Sequence, residues 1–231
     1  MITKDEFLEL IKPHEPCQAG LDLVDDCEDM EEVFKEMSSG EWRWLLTYLP
    51  QFAEHCDWSK LDGAWTPLLR VQPQLVEHCD WSLLGGWDWS CLLSCQPQFS
   101  EHCDWSLLGG WDWSQLLRKQ PQLAEHCDWA RLDGYDWAHL LEGQPKFAEY
   151  CDWSLLGGRD WSNLLQEQPQ FAEHCDWAKL SSSNWACLLS QQPQFACHCD
   201  WSLLDGNVWP HLLKHQPQFK PYKEKYYDNK R

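Results

Sequence analysis

Cationic residues are scarce in this chain: 18 Lys and Arg stand against 37 Asp and Glu, a formal charge of −19. A duplex-binding protein needs cations for its phosphate contacts, so direct nucleic-acid binding is disfavoured. The first residues, MITKDEFLEL, hold no apolar signal-peptide core, and no run approaches the ~18 apolar residues of a membrane span. The expectation is a cytoplasmic chain without membrane partners and with reduced cysteines. Phosphate loops are lacking too, since Gly85-Gly86, Gly109-Gly110 and Gly157-Gly158 recur as repeat turns, and no Ser stands in a G-x-S-x-G elbow. Nothing alternates with period two, which excludes strands. Disorder does not follow from the acidity, because hydrophobic residues make up 43% of the chain, enough for a packed interior.

What the chain has in plenty is Trp, 18 copies, and Cys, 13 copies, and a repeat explains both. Cys-Asp-Trp begins at Cys56, Cys79, Cys103, Cys127, Cys151, Cys175 and Cys199, with a first interval of 23 residues and then steady steps of 24. A second series runs through Trp42, Trp65, Trp89, Trp113, Trp137, Trp161, Trp185 and Trp209. One full repeat, Trp113 to Asp136, reads WSQLLRKQPQLAEHCDWARLDGYD. Asp112 can cap a first helix that places Trp113, Leu116, Leu117 and Gln120 on one face. Pro121 stops it and suits the first turn of a second helix, QLAEHC, in which Leu123, Ala124 and Cys127 lie inward and Glu125 points to water. Asp128 caps a 3₁₀ turn from Trp129 to Leu132, which Gly134 ends. The predicted fold is all-α: an α-solenoid of 24-residue repeats, each with two short helices and a 3₁₀ turn. No repeat buries enough surface to stand alone, so neighbours must cover both faces.

Three segments follow. Residues 1–41 lack the repeat, carry 13 acids against Lys4, Lys12 and Lys35, and read as a helical N-terminal cap, with DMEEVFKEMSSG as a helix ended by Gly40. Residues 42–219 form the solenoid. In residues 220–231, five bases and two acids read as a flexible basic tail.

The period and the pairing of a helix with a 3₁₀ turn, over roughly residues 42–219, resemble the leucine-rich repeat variant family. That family holds an iron–sulfur centre in an N-terminal Cys cluster; here only Cys17 and Cys27 precede the repeats, so the cluster is not carried over and no cofactor is expected. Pro16-Cys17-Gln18-Ala19-Gly20-Leu21-Asp22-Leu23 is similar to the opening P-C-x-x-G-L-x-W of uncharacterised proteins of bacteria and their phages, with Leu23 in place of the Trp.

The recurring His-Cys pairs, such as His126-Cys127, invite a metal reading. Stacked helices lie ~8–10 Å apart, too far for equivalent Cys to share an ion or form a disulfide. Tyr150 replaces His while Cys151 stays, which suits a packed thiol. Cys91, Cys95, Cys187 and Cys197, off the ladder, read as incidental thiols, and the Asp before each Trp reads as an N-cap, not a calcium array. No catalytic constellation emerges, and a non-enzyme is expected.

The informative positions are those that vary. Two places before each second-series Trp come Trp87, Trp111, Tyr135, Arg159, Ser183 and Asn207, a column whose changing type marks a surface. Its aromatics are candidate anchors for a partner, or else lie flat on a neighbouring turn. Glu54, Glu77, Glu101, Glu125, Glu149 and Glu173 recur once per repeat and should form an acidic row. The leading expectation is a non-enzymatic protein-binding scaffold for a partner with a basic surface. Its sharper form is a phage- or prophage-encoded inhibitor that occludes a nucleic-acid-handling host protein by placing carboxylates where phosphates would sit. The alternatives are a sugar- or nucleotide-binding protein using exposed aromatics, and a self-assembling homo-oligomer whose basic tail docks on a neighbour's acidic face.

Overall fold

The structure, a computed structural model, describes residues 2–61, 63 and 65–228. It is all-α, with a helix and 3₁₀ pattern repeating about every 24 residues, and within each of two compact units consecutive repeat helices pack on one another as in a solenoid. Among the described residues no helix is long and apolar enough to cross a membrane. The chain forms two compact units, Met1–Leu108 and Gly109–Arg231. The first contains α1 (Lys4–Ile11), α2 (Gln18–Asp26), α3 (Met30–Glu36), α4 (Ser39–Tyr48), α5 (Trp65–Val71) and α6 (Gly86–Cys95). The second contains α7 (Gly110–Lys119), α8 (Gly134–Gly143), α9 (Gly158–Glu167), α10 (Ser182–Gln191), α11 (Trp209–His215) and α12 (Lys220–Tyr226).

Each repeat has one α-helix; the expected second helix is a 3₁₀ segment, six residues long in most repeats, such as Pro121–His126, and shorter in the last two, Pro193–Cys197 and Pro217–Phe219. Leu123 and Cys127 donate to the carbonyls three residues back, at 3.1 Å. A short segment opened by Pro and closed by an extended Cys has no room for α-type bonding. The three-residue turn Trp129–Arg131 follows as expected, capped by Asp128, which accepts from the Ala130 amide at 3.3 Å.

The start of the main helix differs from the sequence reading. Asp112 is not its cap: α7 begins at Gly110 with Gly109 as the N-cap, and Asp112 turns its carboxylate back to accept from the Gly109 amide at 3.0 Å. Gly134 likewise opens α8 instead of ending the preceding turn. The cause is a close approach between repeats. A side chain on Gly110 would meet the Arg131 carbonyl oxygen at 2.5 Å, and one on Gly158 would run into the Lys179 carbonyl. The glycine pair is therefore the seat of the next repeat's turn.

The Gln that precedes the 3₁₀ Pro in every repeat after the first, where Leu49 stands, ties repeats together. Gln144, Gln168, Gln192 and Gln216 each donate from Nε2 to a carbonyl of the preceding helix, at Arg118, Glu142, Gln166 and Ser190, over 2.6–2.9 Å. In the first unit Gln72 and Gln96 do the same to Thr47 and Arg70. These are helix C-terminal carbonyls that their own helix cannot satisfy. The second Gln of Gln-Pro-Gln then donates to the first, as from Gln170 to Gln168 at 2.7 Å, and fixes its amide orientation. Beneath this polar seam, Trp113, Leu116 and Leu117 and their counterparts in the other repeats are buried, save Leu213 in the last, which is half-buried.

The ends are modified repeats. Gly40 does not end the acidic helix; α3 stops before Met37, and Gly40 lies inside α4, which Ser38 caps with Glu41 in a reciprocal pair. The segment expected as a flexible tail is instead helix α12 over Lys220–Tyr226, packed on the 3₁₀ elements Trp201–Leu203 and Pro217–Phe219. Tyr222 falls one period after His198 and stacks on Trp201 at 4.3 Å, so this helix closes the last repeat. The final basic residues, Lys230 and Arg231, lie outside the described residues.

Gly158→Ala, which drives a methyl into a backbone carbonyl, should cost about 2 kcal/mol or more. Gly109→Ala, whose methyl meets only the Asp112 carboxylate at 3.6 Å, should cost well under half of that. Urea midpoints of the two variants test the contrast.

Candidate protein interface

The packing fixes which faces remain free. In six repeats the turn Trp lies against the following helix Trp, with ring centroids 5.3–6.0 Å apart and planes within 15–18°, as for Trp129 on Trp137. Its other face receives a ring from the next repeat: His78 on Trp58, His102 on Trp81, Tyr150 on Trp129, His174 on Trp153 and His198 on Trp177, at 4.0–4.7 Å. Tyr150 can replace His because the position needs a flat ring. Phe34 in the cap takes the place of the turn Trp and carries His55 at 4.8 Å.

This ladder accounts for the His of the His-Cys pairs, and burial accounts for the Cys. Burial pushes the Cys56, Cys79, Cys103, Cys127, Cys151, Cys175 and Cys199 thiols up to about 12, with the neighbouring Asp adding to the effect. They remain thiols at neutral pH, which disfavours both nucleophilic attack and metal ligation. Among the described residues no three His, Cys, Asp or Glu side chains converge as a metal set.

The acidic row is presented to solvent. The side chains of Glu54, Glu77 and Glu101 in the first unit, and of Glu125 and Glu173 in the second, are 77–79% exposed. Glu149 is exposed as well. Stacking of the adjacent His holds its Nε2 3.5–3.7 Å from these carboxylates, except at Tyr150. The aromatic column is divided. Trp87, in the first unit, is 60% exposed, and Tyr135, in the second, is 52% exposed. Trp111 is only half-exposed, because it stacks on Tyr135 at 5.4 Å and against His139 at 4.6 Å. The flat-lying alternative therefore describes Trp111 better than Trp87. Arg159 is exposed.

Beside Trp111 lies a cluster that sequence reasoning passed over. His139 Nδ1 is 3.3 Å from Ser114 Oγ, and Arg118 donates to the His139 carbonyl at 2.5 Å and pairs with Glu142 at 3.5 Å. Burial, with Arg118 alongside, pushes His139 down to about 4, so it is neutral at pH 7. Ser114 is fully buried and bonds the Trp111 carbonyl, which leaves it no access to a substrate. The grouping has the residue types of a Ser–His dyad and the geometry of a packing contact.

Sequence reasoning also missed the third residue of the turn. Leu83, Leu107, Leu155 and Leu203 are 46–51% exposed there, where other repeats carry Lys or Arg. The exchange of W-S-L-L for W-A-K-L or W-A-R-L was the available signal. No family model, no curated protein and no solved structure matches this chain.

Two outcomes test the packing. Tyr150→His should retain the native midpoint, whereas Tyr150→Ala should lose about 1 kcal/mol of stacking, read by Trp fluorescence in urea. Asp136 is buried, and burial raises its carboxyl to about 6. Its native pKa exceeds the unfolded value of about 3.9, so it weakens the fold as pH rises from about 4 to 6, and the loss persists above. Asn184 fills the same place in α10, accepting from the Ser181 amide at 3.0 Å. Asp136→Asn should therefore stabilise the protein at pH 7, by on the order of 1–2 kcal/mol, and remove that part of the pH slope. Urea titrations at pH 4, 5, 6 and 7 measure both effects.

Proposed function

We propose that this chain is a non-enzymatic protein-binding scaffold whose partner carries a basic surface, and that it acts as a phage- or prophage-derived inhibitor of a nucleic-acid-handling protein. The observation that carries this reading is the once-per-repeat glutamate, held at one place by the packed 3₁₀ segment and exposed to water in each unit. A charge of −19 steers encounter with a cationic protein, and regularly spaced carboxylates can stand where a nucleic acid's phosphates would lie. Trp87 and Tyr135 add exposed aromatic surface of the kind that anchors interfaces. The thiols held protonated by burial and the enclosed Ser114 support a binding role over a catalytic one.

The test is capture from nuclease-treated bacterial lysate on the immobilised protein, with elution by a salt gradient. The expected result is a nucleic-acid-binding protein released at moderate salt and displaced by added DNA or RNA. Changing Glu54, Glu77, Glu101, Glu125, Glu149 and Glu173 to Gln should weaken capture by an order of magnitude or more. A partner indifferent to salt and to these substitutions, yet lost with Trp87→Ala, would replace the electrostatic reading with an apolar one.

A further inference from the structure

Three lysines in this chain make one and the same contact. Lys179 Nζ donates to the Ser154 and Leu156 carbonyls of the preceding repeat at 2.7 and 2.8 Å. Lys60 Nζ reaches the carbonyls of Lys35 and Met37, the latter at 3.0 Å, and Lys4 Nζ those of Asp25 and Cys27 at 3.3 and 2.7 Å. Each time an ammonium bridges the carbonyls of residues n and n+2. The backbone sets this pair: Leu156 has φ −69° and ψ 123°, and Met37 has φ −53° and ψ 133°.

The same backbone recurs where no lysine follows. Leu84, Leu132 and Leu180 have φ of −87°, −80° and −78° and ψ of 123°, 124° and 121°. The carbonyl pairs Ser82/Leu84, Ala130/Leu132 and Ala178/Leu180 therefore match the occupied ones. One period on from each pair, in the place of Lys179, stand Leu107, Leu155 and Leu203, which cannot donate and are 47%, 48% and 51% exposed. No donor among the described residues bonds these pairs. Asp80, Asp128 and Asp176 cap the same turns, with Asp128 paired to Arg131 at 3.2 Å.

We infer that these open carbonyl pairs receive lysine side chains of the partner, with the exposed leucine as the bed for the lysine's methylene stem. The inference rests on the protein-binding reading and names its chemistry: a basic protein segment that presents lysines, not an anionic or purely apolar one. Within the second unit, Ala130/Leu132 and Ala178/Leu180 lie two repeats apart, with the pair between them filled by Lys179. At ~8–10 Å per packed helix, the two sites are ~16–20 Å apart. Lysines eleven residues apart on a helix, at ~1.5 Å per residue, span that distance.

The test uses the full chain and two synthetic helical peptides of equal composition and charge, one with its two lysines eleven residues apart and one with them four apart. Titration calorimetry should find the wider spacing bound about tenfold more tightly. In a Leu155→Lys, Leu203→Lys variant the chain fills both sites itself, as Lys179 does, so the tenfold preference should vanish while thermal stability holds or rises. Equal affinity for the two peptides, absence of binding by either, or a preference that survives in this variant would overturn the inference. Changing Glu125, Glu149 and Glu173 to Gln should weaken both peptides alike and keep the preference. If those changes alone abolish the preference, the lysine sites fail while the broader acidic-surface reading stands. Failure of that reading would appear separately, as a native partner indifferent to salt.

Discussion

The fold depends on a sandwich of rings. Both faces of a turn Trp are covered by the repeat that follows, one by its helix Trp and the other by its His or Tyr, as Trp137 and Tyr150 enclose Trp129. A single repeat thus leaves a large aromatic face to water, and the cost of that exposure enforces stacking. The other inter-repeat contacts depend on the same approach. The glycine pair exists because the next turn's carbonyl comes so near, and the Gln amide reaches the preceding helix because the rings set the spacing. At the ends, Phe34 and Tyr222 supply rings in place of the absent Trp and His.

The period, the helix faces and the inward Cys were legible because they rest on spacing and residue type, and spacing survives without coordinates. The turn cap at Asp128 was legible for the same reason. What escaped was the direction of side chains between repeats. Asp112 and Asp128 both precede a Trp, yet one bonds backward from inside a helix and the other caps a turn. Only the neighbour's carbonyl, pressed on Gly110, decides between them. Tyr222 was hidden by the loss of the Cys-Asp-Trp that follows elsewhere, although counting one period from His198 would have found it.

The candidate surface was partly legible. Recurrence singled out the glutamates, and their exposure follows from a 3₁₀ segment that turns one side to the core. The variable column gave a less uniform result, since Trp111 is partly used in packing while Trp87 and Tyr135 remain open. A varying residue marks freedom from the framework, and freedom takes in both exposure and optional packing. The carbonyl pairs could not be read at all, because backbone acceptors carry no letter in a sequence.

Three recurring contacts between repeats share one direction within each compact unit, although single contacts such as that of Arg118 with the His139 carbonyl run the other way. The ring, the Gln amide and the lysine all belong to the later repeat and act on the earlier one. A chain leaving the ribosome would therefore find its docking surface already built, and every addition would satisfy the carbonyls and cover the ring left open by its predecessor. Growth of such an array is ordered like masonry, each course sealing the one beneath. Its natural quantum of change is a block of 24 codons, since a gain or loss of that size leaves every seam with a matching partner.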